Sequence, residues 1–330
     1  MRPMPNSPRN TPLRGFFAAL LIGWIVLAGA GVLYAKFKGI PGWAAWPLLA
    51  AFLVEFPFYL VPAFPDLRER LTGRNLTGYL VISAILPYLV CCMGAARFEW
   101  AGLLRVAALA LAMGLWYVVL PAIAAVDLAF LALFPAVLLG GYFQTIYLPL
   151  YPGVKNELAF LGHFMLIQMT IIVLMAGRQV KDTGYGFIPT SREWRIGAVH
   201  YLYFLVLGLP LALALNAVRF KTPAPAWSIV ATFLGFLLVA SLSEEFLVRG
   251  VLQQWVENWT ASRTAALVIT SVVFGLVHIG FGGKFPNWKW VGVATILGWC
   301  CGHARNQAGG IRAGVVTHAL AVATWRGFFA

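Results

Sequence analysis

Residues Gly15–Ala35 read GFFAALLIGWIVLAGAGVLYA, a run that contains no charged side chain. A helix needs about 20 mostly apolar residues to cross the hydrocarbon core of a bilayer, so the run predicts a membrane-spanning helix. The apolar core of a cleaved secretory signal is only about 7–15 residues long. This run is longer and no small-x-small cleavage site follows it, so we expect the helix to be retained.

The composition extends this prediction to the whole chain. Of its 330 residues, 61% are hydrophobic and 11% are charged, whereas soluble domains are about 45–50% apolar and about 25% charged. A soluble core cannot enclose so many apolar side chains, because surface grows too fast relative to volume. The predicted fold class is all-α, a polytopic transmembrane helix bundle. We expect an integral, multi-pass protein of the plasma (inner) membrane.

Eleven apolar runs are predicted to span the membrane. They are residues 15–36, 42–63, 77–94, 101–120, 122–147, 157–176, 196–217, 227–250, 263–280, 288–304 and 309–328. Between residues 101 and 147 the pattern is least regular, and Pro121 predicts a break there. The polar loop Gly177–Arg195 predicts a division into two bundles, residues 1–190 with no assigned role and residues 191–330.

The net charge of +13 does not indicate a nucleic-acid-binding protein. The basic residues lie in short clusters between apolar runs, such as Arg68, Arg70 and Arg74, as is typical of loops that contact anionic headgroups. No basic stripe with spaced aromatic residues is present. We therefore expect membrane lipid as a partner and exclude nucleic acid. Anchors at the membrane interface are expected at Trp288 and Trp290 with Lys284 and Lys289, and at the pair Trp325–Arg326.

The segment SLSEEFLVRG, Ser241–Gly250, carries two adjacent acids inside an apolar region. An ionisable group at the centre of a membrane helix costs about 2.5–3.5 kcal/mol and therefore indicates a function. Arg249 follows Glu245 by about one helical turn, so the two can pair on one face. Glu244 points about 100° away and is free to face another group. Taken alone, the segment equally fits the polar end of a helix at the membrane surface.

Two histidines in the last third of the chain are further candidates for a functional site. Phe274 and His278 are one turn apart in FGLVH, and His318 lies in the middle of the last apolar run. A lone histidine near a helix end is usually structural, but one inside a span needs a carboxylate or a second histidine as partner. A helix bundle can bring such groups together. A carboxylate beside imidazoles in a dry cavity suits water activation and carbonyl polarisation.

These motifs resemble those of the CPBP family, which contains type II CAAX prenyl proteases and bacteriocin-processing peptidases. Glu244–Arg249 matches EExxxR, Phe274–His278 matches FxxxH, and His318 matches the last histidine, all in family order. The resemblance covers about residues 227–328 and implies a CAAX protease-like core inside the C-terminal bundle. It also implies hydrolysis of a peptide bond in a membrane-associated protein or peptide.

The resemblance implies a role for each matching residue. Glu244 would be the general base, His278 would hold or polarise the water, and His318 would help to bind the oxyanion. The supporting residues would be Glu245, Arg249 and Phe274.

The chain departs from the family pattern at one position. The last family motif is HxxxN, whereas Val322 stands four residues after His318. Losing one oxyanion donor costs about 10²–10³ in kcat. Either another donor replaces the asparagine or activity is reduced. The sequence offers as donors Thr317, Thr324, Asn287 and Asn306.

The residues alone do not decide between a zinc-dependent site and a metal-free one. Glu244, His278 and His318 can in principle form a zinc site with water as the fourth ligand. The chain has no HExxH motif, and the family resemblance favours a metal-free glutamate peptidase. We predict no cofactor, with zinc as the alternative.

The first functional prediction is an intramembrane endopeptidase that acts on a peptide or protein substrate at the membrane. The alternative is a catalytically inactive family member that serves as a membrane immunity or scaffolding protein. Val322 favours the alternative, whereas the retention of both glutamates and both histidines disfavours it. A transporter would show two related halves with broken helices, and no such repeat is visible. No particular oligomeric state is indicated.

Overall fold

The structure is a computed structural model, and it describes residues 11–152, 154 and 156–330. Residues 1–10 of the predicted N-terminal bundle lie outside this part. The predicted all-α fold is confirmed, since the regular elements in the described residues are helices. An isolated antiparallel bridge joins Phe220 to Phe329. The chain divides into two units, Met1–Gln179 and Val180–Ala330, and this division falls inside the loop at residues 177–195.

The helices of the N-terminal unit are α1 (Thr11–Lys38), α2 (Gly42–Leu60), α3 (Pro65–Arg68), α4 (Arg74–Gly94), α5 (Trp100–Val119), α6 (Ala124–Leu139), α7 (Tyr142–Tyr147) and α8 (Asn156–Ile172). Within the unit, α2 packs against α4 and α8, and α4 packs against α5. The predicted break at Pro121 is present between α5 and α6. The single predicted span 122–147 is wrong, because Gly141 adopts a left-handed φ of 68° and separates α6 from α7.

The helices of the C-terminal unit are α9 (Ser191–Ala214), α10 (Ala226–Gly235), α11 (Ser241–Glu245), α12 (Gln253–Thr260), α13 (Arg263–Leu276), α14 (Trp288–Ala308) and α15 (Arg312–Phe328). Two π-helical segments, Phe236–Ala240 and Phe246–Leu252, join α10, α11 and α12 into one continuous helix. The predicted span 227–250 was therefore too short. Arg249, which lies near the end of the predicted span, is inside the continuous helix. There Glu245 offsets the charge of Arg249.

The C-terminal unit is assembled around α9, α14 and α15. Both α14 and α15 pack against α9, α13 packs against α14, and α10 packs against α15. Thr190 and Glu193 form a capping box that begins α9. The Oε1 atom of Glu193 also accepts a hydrogen bond of 3.0 Å from Nε of Arg312, which fixes the start of α15 beside the start of α9.

Seven helices in the described part of the chain are long and apolar enough to cross a membrane. They are Leu13–Lys38, Gly42–Ala63, Arg74–Gly94, Trp100–Val119, Ala159–Gly177, Ser191–Ala214 and Ala226–Thr260. The prediction of an integral, multi-pass membrane protein is thereby confirmed. The other predicted spans form helices that are shorter, such as α13, or more polar, such as α14 with Lys289, His303 and Arg305.

Candidate active site

The two glutamates of the EExxxR motif lie on α11, between the two π-helical segments. A π-helical turn inside a helix is uncommon and frequently marks a functional position. Glu245 is fully buried, whereas the Glu244 side chain retains 38% of its accessible surface and lines a cavity. The side chains of Glu244 and Glu245 therefore point to different sides of the helix, as the sequence predicts.

Glu245 and Arg249 form a fully buried ion pair, with Nε of Arg249 3.3 Å from Oε2 of Glu245. The two atoms are within ion-pair distance but are not aligned as a hydrogen bond. A terminal nitrogen of Arg249 donates to the carbonyl oxygen of Gly298 over 2.9 Å. The guanidinium also lies over the ring of Phe274, 4.4 Å from its centroid. Arg249 is therefore held by a carboxylate, a backbone carbonyl and an aromatic face.

His318 lies between the two glutamates. Its Nδ1 is 2.9 Å from Oε1 of Glu245, and its Nε2 is 3.8 Å from Oε2 of Glu244. The carboxylate of Glu245 accepts the Nδ1 hydrogen and so orients the ring, with Nε2 toward Glu244. The separation of 3.8 Å is too long for a direct hydrogen bond, but a single oxygen atom beside the pair can contact both groups.

His278 lies just beyond the C-terminal end of α13, where its Nδ1 is 2.8 Å from the carbonyl oxygen of Phe274. This bond again fixes the proton on Nδ1 and leaves Nε2 available. The Phe274 ring is 4.9 Å from the His278 ring and 5.5 Å from the His318 ring, centroid to centroid. Phe274 thus contacts His278, as their spacing indicates. It also contacts Arg249 and His318, which the FxxxH spacing alone did not indicate.

A cavity of about 240 Å³ is lined by Glu244, His278 and His318. Much of its wall is aromatic, from Phe204, Phe236, Phe281, Trp290, Trp325 and Phe329. The rings of Trp290 and Trp325 lie 4.9 Å apart. These two tryptophans, interpreted from the sequence as interfacial anchors, therefore also shape the cavity. A pocket with apolar walls and a few convergent polar groups is typical of a ligand-binding site.

Val322 lines the same cavity, without a polar atom to offer. Among the four alternative donors, Thr324 is the one that lines the cavity, and its hydroxyl lies 2.6 Å from the hydroxyl of Tyr201. The Thr317 hydroxyl donates to the carbonyl oxygen of Gly197. Asn287 caps the start of α14. The fourth candidate, Asn306, accepts hydrogen bonds from Gln253 and Arg305.

The donor set does not fit a metal ion in this arrangement. Within the described residues, no three side chains of histidine, cysteine, aspartate or glutamate lie close enough together to hold one ion. We therefore derive no catalytic step through a metal.

Comparison with protein families agrees with this geometry. Residues 225–324 match the family model described as type II CAAX prenyl endopeptidase Rce1-like. This segment is similar to the Rce1-like family. The predicted relationship to CPBP peptidases is confirmed, and the Rce1-like segment contains all six residues that the resemblance selected. Because Rce1-like proteins form a protease family, the match supports a protease role. No curated protein and no solved structure matches the chain.

Proposed function

We propose that the chain is an intramembrane endopeptidase of the plasma (inner) membrane that hydrolyses a peptide bond of a membrane-associated substrate. The Glu244 carboxylate removes a proton from water as the water attacks the scissile carbonyl. It then returns this proton to the leaving nitrogen as the C–N bond breaks. His278 holds this water through Nε2. His318, with a hydrogen on each ring nitrogen, donates from Nε2 to the oxyanion that forms. Glu245 and Arg249, packed on Phe274, keep His318 in position. No cofactor is required.

The proposal is carried by the different surroundings of the two glutamates. Glu245 directs one oxygen to His318 and the other to Arg249, and it is fully buried. Glu244 has no such pair of partners among the described residues, is partly exposed and lines the cavity. A general base must reach the water whose proton it takes. Glu244 meets this requirement and Glu245 does not.

The test is Glu244→Gln, which keeps the size of the side chain and removes its basicity. Purified protein in liposomes is incubated with a library of membrane-anchored peptides, and products are identified by mass spectrometry. General-base catalysis contributes about 10²–10⁴-fold, so we expect cleavage by Glu244→Gln to fall by at least about that factor. Glu257→Gln on α12, which does not line the cavity, is the matched control and should cleave normally. Equal rates for Glu244→Gln and the parent would exclude the mechanism.

An inactive scaffolding or immunity protein is the second candidate, favoured by Val322 in the cavity wall. This function requires peptide binding without hydrolysis. If peptides from the library bind to the parent protein but are recovered intact, and Glu244→Gln binds them equally well, the second candidate replaces the first.

A further inference from the structure

Glu55 lies in the second half of α2, inside the span Gly42–Ala63, on a buried face of the helix that also carries Ala51 and Tyr59. Its side chain is fully buried, and neither carboxylate oxygen has a hydrogen-bond partner among the described residues. An ionisable group inside a membrane span is costly and indicates a functional site by default. The carboxylate therefore requires a partner that these residues do not supply.

Two hydrogen bonds identify the side chains that lie at the level of Glu55. The Tyr79 hydroxyl on α4 donates to the carbonyl oxygen of Phe58 on α2 over 2.7 Å. Because α2 and α4 pack together and are joined by a short connection, they run antiparallel. One turn inward from this bond are Glu55 on α2 and Ser83 on α4. The Ser83 hydroxyl accepts a hydrogen bond of 2.8 Å from Nε2 of Gln168 on α8, which holds Gln168 near the same level.

Aromatic contacts bring α8 against the same part of α2. The ring of Phe164, one turn before Gln168, lies 4.2 Å from the ring of Tyr59 and 6.1 Å from the ring of Phe52, centroid to centroid. Phe52 and Tyr59 precede and follow Glu55 by about one turn, so the three residues share one face of α2. Glu55 and Gln168 therefore both lie where α2, α4 and α8 meet.

The unpaired polar atoms in this region are mainly acceptors. Because Gln168 donates through Nε2, its Oε1 is the end left without a partner, and this atom is buried. The hydroxyl of Tyr147 on α7 is also buried without a partner, and the charge of Glu55 acts on it. Two carboxylate oxygens, one amide oxygen and one phenol oxygen are thus unpaired in the described residues. Such buried atoms are uncommon, and a bound ion is one explanation for them.

We propose that Glu55, Gln168 and Tyr147 form a binding site for a monovalent metal cation such as sodium, with Glu55 as the anionic ligand. Hard cations prefer oxygen ligands. One carboxylate offsets one positive charge, whereas a divalent ion would leave a net charge buried in the membrane, which is costly. A proton on Glu55 would satisfy a single acceptor, but a metal ion contacts several oxygens at once. The site gives the N-terminal unit a role that does not depend on the proposed peptidase function.

The test is the binding of radioactive sodium to the purified full-length protein in detergent, with choline replacing sodium at constant ionic strength. The parent should bind one ion per chain, and Glu55→Gln should bind none. Loss of an outer-shell partner costs about 10–100-fold in metal affinity, so loss of a ligand in Gln168→Leu or Tyr147→Phe should weaken binding by at least about tenfold. Glu69→Gln removes the same charge from an exposed position of the N-terminal unit and is the control, which should bind sodium as the parent does.

Thermal unfolding gives a second measurement on the same variants. A ligand that binds only the native state raises the ratio of folded to unfolded protein about 100-fold at 100 times its Kd. Sodium chloride should therefore raise the Tm of the parent and of Glu69→Gln above the value in choline chloride, and it should leave that of Glu55→Gln unchanged. If Glu55→Gln does not fold, Gln168→Leu and Tyr147→Phe still test the site, because each lacks one ligand and keeps the charge.

Sodium binding is measured at about pH 7 and about pH 8.5, because a proton on the carboxyl group competes with a metal ion, and potassium and calcium are tested as competitors. Displacement of sodium by potassium supports a monovalent site, whereas tighter binding of calcium would contradict the charge balance and overturn the proposal. Absence of sodium and potassium binding at both pH values would show that Glu55 keeps a proton. Undiminished sodium binding by Glu55→Gln would place the ion elsewhere, and either result overturns the proposal.

Discussion

The Nδ1 atom of His318 donates a hydrogen bond of 2.9 Å to Oε1 of Glu245, 73 residues earlier in the chain. This bond joins α15 to α11 and orients the ring of His318, so that Nε2 faces Glu244. The second oxygen of Glu245 lies 3.3 Å from Nε of Arg249. We therefore propose that Glu245 acts on the reaction through the position of His318 and not through contact with the substrate.

Glu245→Gln tests this positioning role and is expected to reduce both stability and turnover. Removing one partner of a buried ion pair typically costs about 3–5 kcal/mol, because the other charge remains buried without a partner. The amide can also present a donor to Nδ1 of His318, which disturbs the orientation of the ring. The free energy of unfolding in detergent and kcat are the two measurements.

Two comparisons control for a general loss of folding. The double variant Glu245→Leu, Arg249→Met removes both charges, and its loss of stability should be smaller than that of Glu245→Gln, because apolar replacement of a buried pair is often neutral. Glu257→Gln breaks partly exposed pairs with Arg263 and Arg305 and should cost about 0–1 kcal/mol. Stability of Glu245→Gln equal to that of Glu257→Gln would contradict the prediction.

Chelation of metal is expected to leave cleavage unchanged, since we propose a metal-free reaction. Protein purified without chelator is analysed for zinc, and cleavage is measured before and after treatment with a strong chelator. His278→Ala is analysed in parallel. Stoichiometric zinc in the parent that is lost in His278→Ala, together with inactivation by the chelator, would identify Glu244, His278 and His318 as zinc ligands instead.

The fold class was predictable from the sequence, and so were the different directions of the two glutamate side chains. Both follow from local rules. Long apolar runs identify membrane helices. The helical repeat places Arg249 on the same face as Glu245 and turns Glu244 away, and the structure shows this arrangement. The catalytic roles of these residues stay predictions until variants are measured.

The contacts that complete the site were not predictable, because they join residues distant in sequence. No local spacing indicates that Phe274 contacts Arg249 and His318, or that Trp290 and Trp325 line the cavity. The π-helical segments beside α11 have no sequence pattern either. The long helix Ala226–Thr260 was predicted to end too early because its last turns, from Gln253 onward, are polar.

Phe274→Leu should reduce turnover more than stability. Leucine retains most of the buried apolar volume but removes the aromatic face under Arg249 and the ring between the two histidines. A nearly volume-conserving change in a core costs less than about 1.5 kcal/mol. We expect kcat to fall at least about tenfold, the equivalent of 1.4 kcal/mol in the barrier.

Phe246→Leu is the control for Phe274→Leu, because Phe246 is fully buried and its ring packs against Tyr185. It should lose similar stability and keep its turnover. Parallel losses of kcat in the two variants would show that Phe274 has only a packing role.

Thr324→Val should reduce turnover, because Thr324 is the alternative donor that lines the cavity beside Val322. Its hydroxyl forms a hydrogen bond of 2.6 Å with that of Tyr201, so it can relay a hydrogen bond to an oxyanion. Loss of one such donor costs about 10²–10³ in kcat, and we expect a loss toward the lower end. Adding Val322→Asn to Thr324→Val should restore activity, since the asparagine supplies the missing donor.

Thr270→Val, which removes a buried hydroxyl bonded to the carbonyl oxygen of Ala266, controls for the loss of a hydroxyl elsewhere and should keep its kcat. If Thr324→Val retains full activity and Val322→Asn increases that of the parent, the donor position is vacant in this chain and Thr324 does not replace the family asparagine.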